Sequence, residues 1–226
     1  MTGSGAARGS PPITSKGAIQ PGTSSAAGLG IITALARLDG RPVGVLANNP
    51  RHLGGAIDGD AADKATRFLQ LCQAYGIAVV SLCDTPGFMV GPEAERTATV
   101  RRFGAMFIAG ARLTVPLCTV VLRKGYGLGA MAMAGGDLKA PLLCVAWPTG
   151  EFGGMGLEGA VRLGFRKELA AITDPAGRQQ RYEQLVAEYY EKGKAISTAA
   201  AFEIDDVIDP AQTRHVLIET LARTRS

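Results

Sequence analysis

The residues best suited to chemistry lie in one glycine-rich segment, residues 124–130, which has the sequence KGYGLGA. Glycine at alternate positions permits backbone geometry closed to other residues and leaves room for a ligand at the main chain. The segment joins a predicted buried strand to a predicted short helix. The first N–H groups of a helix have no acceptor within it and attract negative charge. Two such groups aimed at one point would form an oxyanion hole.

An anion site is not the only role that such a glycine segment can have. Tight packing of a small-residue helix against a sheet needs no ligand, and the residues alone leave that alternative open. A nucleotide-binding loop is excluded by spacing. The glycines do not match G-x-G-x-x-G, and Lys124 precedes them instead of following them as in a phosphate-binding loop.

Side chains that act as general acids or bases are scarce in this chain. It has two histidines. His52 lies beside two glycines in a predicted loop and is a candidate for lining a site, whereas His215 lies on the last predicted helix as a surface residue. No G-x-S-x-G motif supports a serine hydrolase. Glu151 and Glu158 flank a glycine cluster and are either an acid–base pair or solvated residues near a helix start.

Two further segments follow predicted strands and are rich in turn-forming residues. In residues 84–88 (DTPGF), Pro fixes φ, Gly permits a reversal and Asp accepts hydrogen bonds from the turn. This composition predicts a structural turn whose backbone also shapes the mouth of a site. Residues 147–156 (WPTGEFGGMG) repeat the pattern, with a strand end followed by small residues before a helix.

Alternating strands and helices are predicted to position these segments. Apolar patterns predict strands over residues 43–47, 77–83, 115–122 and 142–147, and helices over residues 58–75, 93–112, 178–192 and 211–224. This alternation indicates an α/β fold with a parallel sheet and helical crossovers. Ligand sites on such sheets lie beyond the C-terminal ends of the strands, where residues 84–88 and 124–130 fall.

Composition restricts the class of protein. Of 226 residues, 46% are hydrophobic and 19% are charged, as in one globular domain. A net charge of +4 with dispersed cations does not favour nucleic-acid binding. The four cysteines form no C-x-x-C pair, which predicts buried, reduced thiols in a cytoplasmic protein. No apolar stretch approaches the roughly 20 residues of a membrane span, and no secretory signal is visible, so no membrane association is expected.

Short motifs in one order along the chain indicate a family. They are residues 40–44 (GRPVG), 47–49 (ANN), 63–65 (DKA), 67–68 (RF), 84–88 (DTPGF), 123–127 (RKGYG), 146–149 (AWPT), 155–156 (MG) and 208–214 (IDPAQTR). Together they make residues 30–223 resemble the C-terminal half of the biotin-dependent acyl-CoA carboxyltransferases. These are the β subunits of propionyl-CoA and methylcrotonyl-CoA carboxylases and their relatives.

The resemblance implies a fold and an activity. The fold would be a crotonase-like ββα spiral, formed as a single domain by residues 29–226. Residues 1–28, rich in Gly, Ser, Ala and Pro, are predicted to be a disordered segment or linker. The activity would be the transfer of a carboxyl group from carboxybiotin to the α-carbon of an acyl-CoA thioester, with biotin as the cofactor and acyl-CoA as the substrate.

The resemblance also assigns roles to residues. The N–H groups of Leu128 and Gly129 would stabilise negative charge on the biotin ureido oxygen. Contacts to biotin or substrate would come from Tyr126, Gly127, Ala130, Met131, Pro86, Gly87, Phe88, Gly154 and Met155. Biotin N1 would take the α-proton, so neither a side-chain base nor a metal is expected here. Met131 stands where relatives have polar or aromatic residues, which favours an apolar acyl chain.

Partners follow from the same family. The resemblance implies a biotin carboxyl carrier, a biotin carboxylase, an N-terminal carboxyltransferase domain that supplies the other half of the site, and a homo- or hetero-oligomer. Two alternatives have the same ancestry. One is a biotin-dependent decarboxylase or transcarboxylase subunit, and the other is a catalytically incomplete paralogue with a role in assembly. An enoyl-CoA hydratase is less favoured because no confident glutamate pair is found.

Overall fold

One mixed sheet organises the residues that the computed structural model describes, which are residues 20–21, 28–96 and 99–224. Its strands are β1 (Gln20–Pro21), β2 (Ile31–Leu38), β3 (Arg41–Asn48), β4 (Ala78–Thr85), β5 (Leu117–Tyr126), β6 (Leu143–Ala146), β7 (Glu151–Gly153) and β8 (Asp206–Val207). The helices are α1 (Gly59–Ala74), α2 (Pro92–Arg96), α3 (Thr99–Ala111), α4 (Gly127–Met133), α5 (Leu157–Gly164), α6 (Arg166–Ala171), α7 (Pro175–Gly193), α8 (Ala195–Ala200) and α9 (Thr213–Ala222).

The predicted parallel sheet is present, with an antiparallel extension at one side. The strand order is β1-β2-β3-β4-β5-β6-β8, in which β1, β2 and β3 pair antiparallel and the strands from β3 onward pair parallel. The long strand β5 pairs with β6 through residues 118–121 and with β7 through residues 124–126. Thr85 is in register with Gly125, so the carboxyl ends of β4 and β5 meet at one edge of the sheet.

Two hydrophobic cores lie on opposite faces of this sheet. Val79 and Cys83 belong to one core and Val80 to the other, because successive side chains of a strand point to opposite faces. Helices α1, α3 and α4 cover the first face, and Leu217 of α9 packs on the second. This cover explains the uninterrupted apolar runs that predicted the central strands.

Helix α1 shows why the sequence folds locally as it does. Asp58 caps its N-terminus, since the Asp58 carboxylate accepts a hydrogen bond from the Ala61 N–H at 2.8 Å. Gly76, with φ +65°, follows its end. Arg102 of α3 binds Asp63 at 2.7 Å and also binds Asp60, which holds α3 against α1. Helix α3 in turn contributes side chains to the site described below.

Several element boundaries differ from those predicted. The predicted helix over residues 93–112 corresponds to α2 and α3, with residues 97–98 outside the described part. Strand β5 extends to Tyr126, beyond the predicted end at residue 122, because β7 pairs with its last residues. The helix expected after residues 147–156 is α5, whereas strands β1, β2, β7 and β8 and helices α6 and α8 had no counterpart in the prediction.

The predicted linker falls mostly outside the described residues. Residues 1–19 and 22–27 are not described, whereas Gln20–Pro21 forms β1 and pairs antiparallel with β2. All four cysteines are buried, as predicted, and burial raises the pKa of the Cys72 thiol to about 11. Over the described ranges, every helix is too short or too polar to cross a lipid bilayer.

Candidate active site

A cavity of about 670 Å³ lies beyond the carboxyl ends of β4 and β5. Three segments and a helix enclose it: the chain after β4, helix α3, the start of α4, and the glycine-rich connection between β7 and α5. The lining residues are Pro86, Gly87, Phe88, Met89, Val90, Gly91, Ala94, Glu95, Thr99, Val100, Phe103, Gly104, Phe107, Gly127, Leu128, Gly154, Met155 and Gly156. Most of these are apolar, and Glu95 is the one ionisable side chain in this described lining.

The glycine segment turns sharply at the edge of this cavity. Strand β5 ends at Tyr126, and Gly127, with φ +59°, begins α4 in a left-handed conformation that favours glycine. A Cβ on Gly127 would lie 2.8 Å from the Gly154 carbonyl oxygen. Leu128, which is 62% exposed, lines the cavity. The N–H groups of this first helical turn have no intrahelical acceptor.

Gly129 permits a second close approach. A Cβ on Gly129 would lie 2.7 Å from both Cα and the carbonyl carbon of Gly87 and 3.0 Å from the Phe88 nitrogen. Real Cβ atoms do not come so near to backbone, so only glycine lets α4 pack directly on this turn. The alternating glycines therefore place the first turn of α4 between the Gly87 backbone and the Gly154 backbone.

The DTPGF turn is a rigid support for that contact. The Thr85 hydroxyl accepts a hydrogen bond from the Gly87 N–H at 3.1 Å. The Ile57 N–H donates to the Gly87 carbonyl at 3.0 Å, which ties the turn to the chain before α1. Asp84 binds Arg123 at 3.2 Å and accepts from the Lys124 N–H at 3.2 Å. The carboxylate thus joins the ends of β4 and β5, and the turn has both a structural role and a position at the cavity.

Ten of the eleven predicted site residues fall into three groups, and the eleventh, Tyr126, lines neither of the two cavities described here. Seven of them line the 670 Å³ cavity: Pro86, Gly87, Phe88, Gly127, Leu128, Gly154 and Met155. Gly129 packs behind them on Gly87. Ala130 and Met131 line a separate cavity of about 350 Å³, which also touches Gly127 and Gly154. Met131 therefore lies away from the larger cavity, on the other side of the same turn.

Helix α3 supplies lining residues that sequence reasoning assigned only to the core. Phe103 stacks on Phe88 with ring centroids 3.9 Å apart, and Phe107 lies 6.0 Å from Phe88. The apolar spacing of this helix predicted an inward face that includes Val100, Phe103 and Phe107, but Val100 is 74% exposed at the cavity. That spacing identifies a buried face without showing whether a core or a cavity lies opposite, so the pattern carried no signal of a site.

The candidate acid–base residues do not converge on the cavity. His52 pairs with Asp58 at 3.0 Å in the loop before α1, and His215 is exposed on α9. Tyr126, only 5% exposed, donates its hydroxyl hydrogen bond to Glu151 at 2.7 Å. Tyr190 donates to Glu158 at 2.6 Å. Within the described residues, no group of three or more His, Cys, Asp or Glu side chains is arranged to hold a metal.

The Tyr190–Glu158 pair gives a testable pH dependence. The hydrogen bond from Tyr190 lowers the pKa of Glu158 below its usual 4.5, and the same bond raises the pKa of Tyr190 to about 12. A raised tyrosine pKa stabilises the fold below pH 10, its usual value, and this contribution is lost as the pH rises through 12. A lowered glutamate pKa stabilises the fold above 4.5 and is lost as the pH falls further.

We therefore expect Tyr190→Phe to raise the pKa of Glu158, measured by carboxyl-carbon NMR titration. The near-ultraviolet absorbance titration should also lose one late-ionising tyrosine near pH 12. The control is Tyr75→Phe, because Tyr75 is 76% exposed and lies on another helix end. An unchanged Glu158 titration in Tyr190→Phe would show that the hydrogen bond does not form in solution.

Comparison with known proteins identifies the family. A family model described as the carboxyl transferase domain matches residues 22–226. The methylmalonyl-CoA carboxyltransferase 12S subunit of Propionibacterium freudenreichii subsp. shermanii is 42% identical over 84% of this chain and 36% of its own length. The biotin-dependent acetyl-/propionyl-CoA carboxylase β6 subunit of Mycobacterium tuberculosis is 40% identical over 85% of this chain and 41% of its own length.

Solved structures of carboxylase and transcarboxylase proteins also resemble this chain. The structure of a single-chain, multi-domain long-chain acyl-CoA carboxylase matches with a TM-score of 0.76 and 62% identity, over 85% of this chain and 19% of that one. A transcarboxylase 12S structure matches with a TM-score of 0.79 and 38% identity, over 87% of this chain and 38% of that one. The chain thus spans well under half the length of these relatives. It belongs to the carboxyl transferase domain family and has the crotonase-like fold that the sequence motifs implied.

Proposed function

We propose that this chain is the biotin-facing part of an acyl-CoA carboxyltransferase, which moves a carboxyl group between carboxybiotin and an acyl-CoA. One observation carries the proposal. Leu128, whose N–H has no intrahelical acceptor, lines a large apolar cavity in a member of the carboxyl transferase family. Family membership alone does not say which step of the reaction this chain performs. A helix start at an apolar cavity is suited to binding a developing negative charge.

The residues present suit a biotin ring system. A cavity of about 670 Å³ with stacked Phe88 and Phe103 offers an apolar enclosure for a fused bicyclic ring. Gly127 and Gly129 let the first turn of α4 pack directly on the Gly154 and Gly87 backbone, which holds this turn at the edge of the cavity. When bound, carboxybiotin supplies the carboxyl group that is transferred.

The chain's own groups would act on the developing charge. Negative charge grows on the ureido oxygen as the carboxyl group leaves, and we assign the N–H groups of Leu128 and Gly129 to that oxygen. Donors fixed in place before the reaction stabilise the transition state more than the ground state. Phe88, Phe103 and Met155 exclude water, which strengthens those hydrogen bonds. No side-chain base is required from this lining under the proposal.

Partners would complete the site. The rim of the cavity exposes large apolar side chains, with Val90 83% and Val100 74% exposed. Such a rim suits a protein interface. The chain also matches only part of each relative, one of which is a multi-domain chain and another a hexamer. We propose that an N-terminal carboxyltransferase domain covers this rim, and that a biotin carrier, charged by a biotin carboxylase, delivers the carboxyl group.

The proposal is tested by reconstitution. The purified chain is mixed with the N-terminal carboxyltransferase domain of a 12S-type relative, methylmalonyl-CoA and biocytin. We expect biocytin-dependent formation of propionyl-CoA, measured by chromatography, from the mixture and from neither protein alone. Failure of the chain both to bind biocytin in calorimetry and to support turnover would contradict the proposed function.

A further inference from the structure

Two tyrosine–carboxylate pairs lie beside the glycine turn and have no part in the function proposed above. Tyr126 donates to Glu151, and Tyr190 donates to Glu158, at 2.7 Å and 2.6 Å. The two pairs also interact electrostatically. Besides burial and its own hydrogen bond, the charge of Glu158 contributes to the raised pKa of Tyr126, and the charge of Glu151 contributes to that of Tyr190. We refer to these four residues as the tyrosine–carboxylate cluster.

The cluster joins five elements at one place. Tyr126 ends β5 and caps α4, Glu151 begins β7, Glu158 lies in the first turn of α5, and Tyr190 lies in the last turn of α7. Strand pairing adds to these contacts, because Tyr126 is in register with Gly153. The residue immediately before the glycine turn is therefore tied by its side chain and its backbone to the chain that leads to Gly154.

The chain between the two carboxylates forms one side of the cavity. Residues 154–156 line it, and the Gly154 carbonyl lies against Gly127. This segment has little packing of its own, since a Cβ added to Gly154 or Gly156 would meet nothing within 4 Å. Glycines do not hold a fixed backbone conformation without outside support. The support is available at the two ends of the segment, at Glu151 and Glu158.

We propose that the tyrosine–carboxylate cluster sets the distance between residues 154–156 and the first turn of α4, so that Tyr126 and Glu151 are positioning residues for carboxyl transfer. This inference rests on the proposed function. Neither side chain lines the 670 Å³ cavity, so both act through the backbone that they hold. A hydroxyl-to-carboxylate hydrogen bond is charge-assisted and strong, and its loss would leave the partly buried Glu151 without this donor.

The inference also assigns a role to the two glutamates that the sequence offered as an acid–base pair. Both carboxylates accept hydrogen bonds from tyrosine hydroxyls, and that of Glu158 has a lowered pKa. A carboxylate kept ionised and bonded is a poor proton donor and suits a fixed anchor. Glu151 and Glu158 lie on either side of residues 154–156, so each can hold one end of this glycine-rich segment.

The test compares Tyr126→Phe with a matched control. Tyr126→Phe keeps the buried ring and removes only the hydroxyl. We expect kcat of the reconstituted reaction to fall about 10- to 100-fold, because small displacements of aligned groups are costly. KM for biocytin should stay within about threefold, since no contact to the substrate is removed. Glu151→Gln keeps an acceptor oxygen and should lose less activity than Tyr126→Phe.

Hydrogen–deuterium exchange of the purified chain measures how firmly the backbone of these two segments is held. In Tyr126→Phe, amides of residues 127–129 and 153–157 should exchange about tenfold faster or more, with the rest of the sheet unchanged. The control is Tyr182→Phe, which removes the hydroxyl that accepts from Arg162 at 3.2 Å on the outer part of α7. It should leave exchange in both segments and kcat at their original values.

Two results would overturn the inference. One is unchanged exchange in both segments of Tyr126→Phe. The other is uniformly faster exchange across the sheet with a matching fall in melting temperature, which would show a merely structural hydroxyl. If the unaltered chain has no carboxyltransferase activity, the proposed function fails by itself. The exchange contrast between Tyr126→Phe and Tyr182→Phe then decides whether the cluster positions the segment.

Discussion

Replacing Leu128 with proline is expected to lower kcat of reconstituted carboxyl transfer by about 10²–10³-fold, the usual effect of removing one oxyanion-hole donor. Proline has no N–H, and Leu128 is the second residue of α4, where the N–H has no intrahelical acceptor. Proline is tolerated in the first turn of a helix, so α4 should still form. The substitution therefore removes a proposed catalytic donor with little cost to the fold.

Leu128→Ala provides the matched control, because it shortens the same side chain and keeps the N–H. The Leu128 side chain is largely exposed, so its loss should change kcat and the melting temperature little. Both variants are measured in steady-state kinetics with biocytin and in thermal unfolding. Equal activity of Leu128→Pro and Leu128→Ala, with equal melting temperatures, would remove Leu128 from the proposed oxyanion hole.

Gly129→Ala should have the second large effect. The added methyl would lie 2.7 Å from the Gly87 Cα, a contact with backbone that cannot be relieved by a side-chain rotation. Either α4 or the turn at residues 86–88 must move, which displaces the proposed donors. We expect turnover to fall by about 10²-fold or more and the free energy of unfolding to fall by about 1–3 kcal/mol.

The control for Gly129→Ala is the same change at Gly164. Gly164 is the last residue of α5, and an added Cβ there would meet nothing within 4 Å. Gly164→Ala should leave turnover unchanged and stabilise the chain by at most about 1 kcal/mol, the difference between glycine and alanine in a helix. Turnover retained by Gly129→Ala at the level of Gly164→Ala would contradict the close approach of α4 to Gly87.

The sequence predicted those strands and helices whose buried residues follow a regular pattern along the chain. Strands β4 and β5 are covered on both faces, so each appeared as an apolar run, and α1 showed a regular inward face. Strand β7 could not be found in this way. It has three residues, and its pairing depends on the extension of β5 past the end of β6. Such pairing is a property of the sheet and leaves no local pattern.

Parts of the candidate site were likewise beyond local patterns. The glycines of residues 125–129 indicated a close backbone approach, but the partners, Gly87 and Gly154, are set by tertiary packing. The sequence motifs placed Tyr126 among residues that contact ligand. Its hydroxyl donates to Glu151, 25 positions later, a contact that no local pattern indicated. The assignment of Leu128 and Gly129 to an oxyanion hole came from family motifs and stays a prediction until the proline variant is measured.

The exposed side chain of Leu128 has a consequence for how such a domain diversifies. If the reactive groups at this turn belong to the main chain, every residue except proline presents the same N–H at position 128, while the bulk of its side chain changes the shape of the cavity. The shape of the biotin-facing cavity could then change at position 128 without loss of the donor. Position 128 should therefore tolerate many residues, whereas Gly127 and Gly129 on either side should accept almost no replacement.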